Sequence, residues 1–169
     1  AYYSRIYKET PTLDLRSIIR IWRGIKLHET PIAPIEELEL EWNGIHGRVD
    51  SYFPEWKLVV DKKVTASPPV RWSSNENRYI VTPRPHEIKQ LEYYRVLLEH
   101  NGYPVELGAL LYIDMEKIKA YVGVVDILKR ELSVIEKEML ERKERLQAFL
   151  DLGKLPPRDM SWEWLCAVS

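Results

Sequence analysis

The sequence has a single cysteine, Cys166, among 169 residues. A disulfide within the chain is therefore excluded, and such sparing cysteine usage sets the expectation of an intracellular, cytoplasmic protein, or of the host cytoplasm if the chain is viral. Long apolar runs are missing too. No stretch approaches the about 18 consecutive apolar residues of a membrane span, so no membrane partner is expected. The opening residues AYYSRIYKETPTL have neither the basic start nor the apolar stretch of a signal peptide. Positive charge is not in excess: 25 Lys and Arg stand against 26 Asp and Glu, a net charge of −1. No global basic field draws polyanions to the surface, which argues against a passive nucleic-acid coat. It does not exclude an enzyme whose metal ions supply the positive charge.

What the chain does have is 45% hydrophobic and 30% charged residues, enough for a real core under a soluble surface. Its length fits one domain over 1–169, with a core over about 14–125 and a long helix and tail over about 126–169. DLRSIIRIWRGIKLHE reads as a helix, since Leu15, Ile18, Ile19, Trp22 and Ile25 recur at helical spacing behind Asp14. Two prolines in TPIAPIEE break it. LELEW alternates, Asn43-Gly44 is a hairpin signal, and IHGRVDSYF is the return strand. KLVVDKKV is a third strand. Residues 66–85 form a Pro- and Ser-rich segment too long for an ordinary turn, either an exposed loop or a guide for a single strand. HEIKQLEYYRVLLEH is a helix ending at Asn101-Gly102. PVELGALLYID and KIKAYVGVV are paired strands, and a long helix is predicted from about Asp126 to Leu152. The order α-β-β-β-α-β-β-α predicts a mixed α/β (α+β) fold, a central mixed sheet flanked by helices.

Charges on the strands are the chemical clue. Asp50 and Asp61 lie on adjacent antiparallel strands joined by a tight turn, roughly opposite each other. Such neighbours are about 4.5–5.5 Å apart at Cβ, close enough to share one cation. Two carboxylates that close repel unless something positive sits between them, and Mg²⁺ or Mn²⁺ suits an oxygen-rich site. Lys63, two residues after Asp61, projects from the same face and can orient a water and stabilise developing charge on a phosphate. Lys62 points the other way, but its main-chain carbonyl could complete a metal shell. The bland alternative is a surface salt bridge of Asp50, Asp61 and Lys63, which Asp-x-Lys alone would favour. Further along, Gln90 and Tyr94 share one helical face, with core packing the plainer reading of Tyr94. The acidic stretch 29–41, with Glu36, Glu37, Glu39 and Glu41, reads as a solvated edge, one of whose residues could bind a second metal.

In order, the chain carries Gly24…His28 on a helix, Gly47-Arg48-Val49-Asp50 on a strand, Asp61-Lys62-Lys63 on the next strand and Gln90…Tyr94 on a helix. This set resembles the RecB-like branch of the PD-(D/E)XK nucleases over roughly residues 14–125. The resemblance implies a restriction-endonuclease-like core and a Mg²⁺- or Mn²⁺-dependent deoxyribonuclease, cutting single-stranded DNA as an exonuclease or endonuclease in DNA processing, repair, replication or CRISPR adaptation. It implies metal ligation by His28, Asp50, Asp61 and the Lys62 carbonyl, a Lys63 that positions the attacking water, and 5′-phosphate products. Gln90 and Tyr94 would contact DNA or brace the site, and Thr65 would assist phosphate binding. The chain is similar to CRISPR-associated exonucleases that carry an iron–sulfur cluster, and to related viral and helicase-linked nucleases. Cys166 falls where their first C-terminal cluster cysteine would stand, but the next position is Ser169 and no upstream cysteine exists. One thiolate cannot hold a four-cysteine cluster, so none is expected in this chain. A trimmed chain, replaced ligands or a lost cluster would each explain this. Cys166 would be a cluster ligand only in a longer chain, and alone it reads as core packing.

Segment 66–85 carries Arg71, Trp72, Arg78, Tyr79 and Arg84. Cations for phosphates and rings for bases suit single-stranded DNA, the expected partner. A homo-oligomer and other DNA-processing proteins are also open as partners. Two alternatives stay in view: a DNA-binding subunit that keeps a nuclease fold but does not cut, and a structure-specific endonuclease of the same superfamily.

Overall fold

The computed structural model describes Lys26, residues 29–114, Glu116, Lys117 and residues 119–153. Strand β1 (Ile35–Trp42) turns at Asn43-Gly44 into β2 (Ile45–Phe53). Both turn residues take positive φ, 49° and 69°, which Asn and Gly adopt more readily than other residues. A 3₁₀ turn over Pro54–Trp56 leads to β3 (Leu58–Thr65). The chain continues through β4 (Val70–Ser73), β5 (Arg78–Val81), helix α1 (Pro85–His100), β6 (Leu107–Asp114), β7 (Lys119–Val125) and helix α2 (Leu132–Asp151).

Five strands form one sheet in the order β1-β2-β3-β6-β7. The β3–β6 pair is parallel and the others antiparallel. A parallel pair needs a crossover, and α1 lies in the connection. The predicted mixed α/β class with a central mixed sheet is what the structure shows, and it is consistent with a PD-(D/E)XK-like core. The predicted first helix, apart from helical Lys26 and the turn at Glu29, lies outside the described residues, as does the tail after Gly153.

Helix α1 crosses the sheet where side chains are smallest. A Cβ on Gly47 would come within 2.4 Å of Leu97 Cδ1, and one on Gly108 within 2.8 Å of Ile127 and 3.3 Å of Leu91. The core fills between, with Val49, Val59, Leu91, Leu98 and Leu110 fully buried. Burying each such side chain contributes about 1.5–3 kcal/mol. Helix α2 packs on the far side of α1, tied by Glu138, which accepts from Tyr93 Oη at 2.8 Å and Arg130 at 2.9 Å and pairs with Lys89.

Three expectations are corrected. The last helix starts at Leu132, not near Asp126. Asp126 Oδ1 accepts the Leu128 N–H at 3.1 Å, a local bond that favours a turn over a helix. Arg95 then fixes the turn by donating to the Ile127 and Arg130 carbonyls at 3.0 and 3.1 Å. Segment 66–85 is not a plain loop: β4 and β5 pair as an antiparallel hairpin, Val70 with Val81 through Ser73 with Arg78. Glu36 does not belong to the solvated edge. It bonds inward to Lys62 and Ser51, while Glu37, Glu39 and Glu41 stay exposed.

Candidate active site

Strands β2 and β3 pair only at Ser51–Val60, Tyr52–Val59 and Phe53–Leu58. The ladder stops one step short of Asp50 and Asp61, which stand roughly opposite each other as the register continues. On the other side of β2, in β1, Glu37 takes φ 49° between the Glu36–Ser51 and Leu38–Val49 pairs. Simple alternation fails there. Ile35 and Leu38, three apart, both pack on the core, as do Val49 and Tyr52. With the ladder ended, Asp50 Oδ2 accepts the Lys62 main-chain N–H at 2.8 Å.

Asp61 is 1% exposed. Lys63 Nζ lies 2.8 Å from Asp61 Oδ2 and donates to Gln90 Oε1 at 2.8 Å. Gln90 Nε2 in turn donates to Tyr94 Oη at 2.8 Å. The structure thus brings Asp50, Asp61, Lys63, Gln90 and Tyr94 together between β2, β3 and α1. Gln90 and Tyr94 are both buried, on the α1 side of Lys63. Burial pushes the Asp61 carboxyl up to about 7; the Lys63 ammonium opposes the rise and the Asp50 charge adds to it. Burial likewise raises the Tyr94 phenol, reinforced by the charges of Asp61 and Asp50.

Fit to a divalent cation can be tested on these atoms. Asp61 Oδ2 is buried, and although Lys63 stands beside it, no donor meets it with hydrogen-bond geometry. A second carboxylate is near enough to raise its pKa. A buried, under-satisfied oxygen next to another carboxylate is what a hard cation with oxygen ligands completes, and Mg²⁺ commonly takes only one or two protein carboxylates. The residues fit. Among the described residues no group of three or more His, Cys, Asp or Glu is assembled for a metal. His28 lies outside the described residues.

Lys62 turns away from this cluster, as expected of its strand position, but not into solvent. It is 1% exposed, donating to Glu36 Oε2 at 2.7 Å and the Thr30 carbonyl at 2.9 Å. Burial pushes the Glu36 carboxyl up, but hydrogen bonds from Lys62, Ile32, Ser51 and Ala33 outweigh it and hold it below the usual range. Lys62 thus straps β3 to β1 through Glu36 and to the segment before β1 through the Thr30 carbonyl.

The other sequence candidates are more scattered. Thr65 ends β3 and accepts the Ser67 N–H at 3.1 Å. Arg71, Trp72 and Arg78 are exposed on the hairpin, where Arg78 pairs with Glu76. Arg84 stands exposed at the start of α1. Cys166 lies outside the described residues.

Two residues at the site escaped the sequence reading. Glu87, one turn before Gln90, is 2% exposed, accepts the Arg84 N–H at 2.8 Å and takes the Tyr112 hydroxyl at 2.5 Å. Tyr112 pairs with Lys63 across β3 and β6. The available signal was the spacing of Glu87, Gln90 and Tyr94, one helical face of polar groups.

No protein-family model matches the chain, and no curated protein matches it. Among solved structures, the crystal structure of SSO0001 aligns at a TM-score of 0.42 and 20% identity, over 99% of this chain and 76% of that one. A "Putative exonuclease" from Eubacterium rectale aligns at 0.44 and 19% identity, over 85% of this chain and 55% of that one. Neither likeness is strong enough to assign a function. Among the described residues no helix is long and apolar enough to cross a membrane.

Proposed function

We propose that this chain is a divalent-metal-dependent nuclease that hydrolyses phosphodiester bonds in DNA. One observation carries the reading: the chain of contacts Asp61–Lys63–Gln90–Tyr94, with Asp50 beside it. Mg²⁺ or Mn²⁺ held by Asp50, Asp61 and the Lys62 carbonyl would neutralise the scissile phosphate and acidify a water. The resemblance to RecB-like nucleases adds His28 as a further ligand and implies 5′-phosphate products.

The protein's own groups do the rest. Lys63 presents an ammonium 2.8 Å from Asp61, where it can hold the attacking water and balance charge growing on the phosphate. Gln90 turns its amide oxygen to that ammonium. Its amide nitrogen faces the Tyr94 hydroxyl, so a flipped amide would set donor against ammonium. The donor-only ammonium thereby sets which way the Gln90 amide points, and Tyr94, whose hydroxyl can accept, holds the other end of that amide.

The test is cleavage of end-labelled single-stranded and duplex DNA in Mn²⁺, Mg²⁺ or chelator. We expect metal-dependent cutting that falls by about 100-fold or more in Lys63→Ala, the scale of losing one preorganised charge-stabilising group. The product ladder separates stepwise digestion from structure-specific cutting. Wild-type protein that binds DNA but cuts it with neither metal would sink the proposal in favour of a non-catalytic binding subunit.

A further inference from the structure

A row of aromatic side chains runs from the surface to Lys63. Lys63 pairs with Tyr112 across β3 and β6, and Tyr112 pairs with Tyr121 across β6 and β7. The Tyr121 ring meets Tyr79 with centroids 5.4 Å apart, and Tyr79 meets Trp72 at 5.1 Å, both edge to face. All of this lies on the α1 side of the sheet. Gly108 faces Leu91 and Ile127, and Gly123, on the same face as Val125 and Tyr121, receives Val81 and Pro83 from the hairpin. A Cβ on Gly123 would stand 2.7 Å from Val81 Cγ1, so the glycine is the seat on which the hairpin rests. Tyr121 is two strand spacings from Lys63, about 10 Å. The last two rings of the row are open: Trp72 is 53% and Tyr79 49% exposed.

Trp72 and Tyr79 stand side by side as two open rings. Every nucleic-acid base has a face that stacks on such rings, but only when the base is unpaired and splayed from its neighbours. Cations flank the row for the backbone: Arg71 beside Trp72, Arg84 at the start of α1 and Lys63 at its inner end. Acidic groups near it are either buried and bonded, as Glu87 is to Tyr112, or paired, as Glu76 is to Arg78.

We infer that the β4–β5 hairpin is a stacking platform for single-stranded DNA, whose bases rest on Trp72 and Tyr79 while the strand leads past Tyr121 toward the phosphate site at Lys63, with Tyr112 buried beneath it. This rests on the nuclease reading for the direction of the strand, not for binding itself. It names the substrate of that site as an unpaired strand.

Binding in chelator separates the two. Fluorescence polarisation of a labelled single-stranded oligonucleotide and its duplex is compared for wild type, Trp72→Ala, Trp72→Phe, Tyr79→Ala and Trp56→Ala. Trp56 is the control: it is 58% exposed and stacked on Phe53 at the β2–β3 turn, off the row. We expect Trp72→Ala and Tyr79→Ala each to weaken single-strand binding about 5- to 150-fold, from about 1–3 kcal/mol per stacked base. Trp72→Phe should recover most of it, and Trp56→Ala should change nothing. Single-strand affinity unaltered in Trp72→Ala and Tyr79→Ala, or lost equally in Trp56→Ala, overturns the platform even if Lys63-dependent cleavage is intact. Loss confined to the row supports it even if no cleavage is seen. Wild-type protein that binds no single strand overturns it outright.

Discussion

Asp50 Oδ2 accepts the main-chain N–H of Lys62 at 2.8 Å, in the place a strand carbonyl would occupy had the β2–β3 ladder continued. One carboxylate thus closes a sheet and stays beside Asp61.

These two duties separate by mutation. Asp50→Asn keeps an acceptor for the Lys62 N–H but removes a charge. Its thermal midpoint should stay close to wild type while Mn²⁺ binding, followed by calorimetry, falls sharply. Asp50→Ala should lose both, with stability down by about 1–3 kcal/mol for the N–H left without its partner. Equal stability of the Ala and Asn variants would remove the structural duty.

The strap between Lys62 and Glu36 predicts an asymmetry. Glu36→Ala leaves an ammonium that is 1% exposed without its carboxylate, a change that costs about 3–5 kcal/mol. Lys62→Met removes the buried charge itself and should be milder. Urea unfolding of both variants checks the order, and a larger loss for Lys62→Met would contradict it.

Glu138 gives the pH dependence. Burial pushes its carboxyl up, but hydrogen bonds from Lys89, Arg130 and Tyr93 outweigh it and hold it at about 2, below the ordinary 4.5. A depressed folded-state pKa stabilises fully above the unfolded value and fades as pH falls through the folded one. The gap in melting temperature between wild type and Glu138→Gln should therefore be full at pH 7 and narrow between about 4.5 and 2. A gap that stays constant over that window would show that the ion pairs are not its source.

Much of this architecture could be read from periodicity. The hairpin at Asn43-Gly44, the helix through Gln90 and Tyr94 and the strands that carry Asp61 and Asp114 all follow from local pattern. What escaped depended on partners distant in sequence or on unusual backbone. Nothing in IEELELEW announces that Glu37 turns to φ 49° and breaks the alternation. Glu36 looks like its exposed neighbours until Lys62, 26 residues away, meets it. The β4–β5 hairpin did carry a signal, with VRWS and RYIV flanking a turn-rich SNEN, but the prolines around it masked a pair of four-residue strands. At the site, the row from Lys63 to Trp72 is invisible along the chain because β6 and β7, which supply Tyr112 and Tyr121, come after the helix.

The glycine seat at 123 has a consequence for how such a protein can change. Any side chain there would lift Val81 and tilt the hairpin, carrying Trp72 and Tyr79 with it, while β2, β3 and α1 keep Asp50, Asp61 and Lys63 where they are. The proposed platform and the proposed active site thus hang on different attachments. The edge strand serves as an adjustment point, where what is held can be retuned without rebuilding what acts on it.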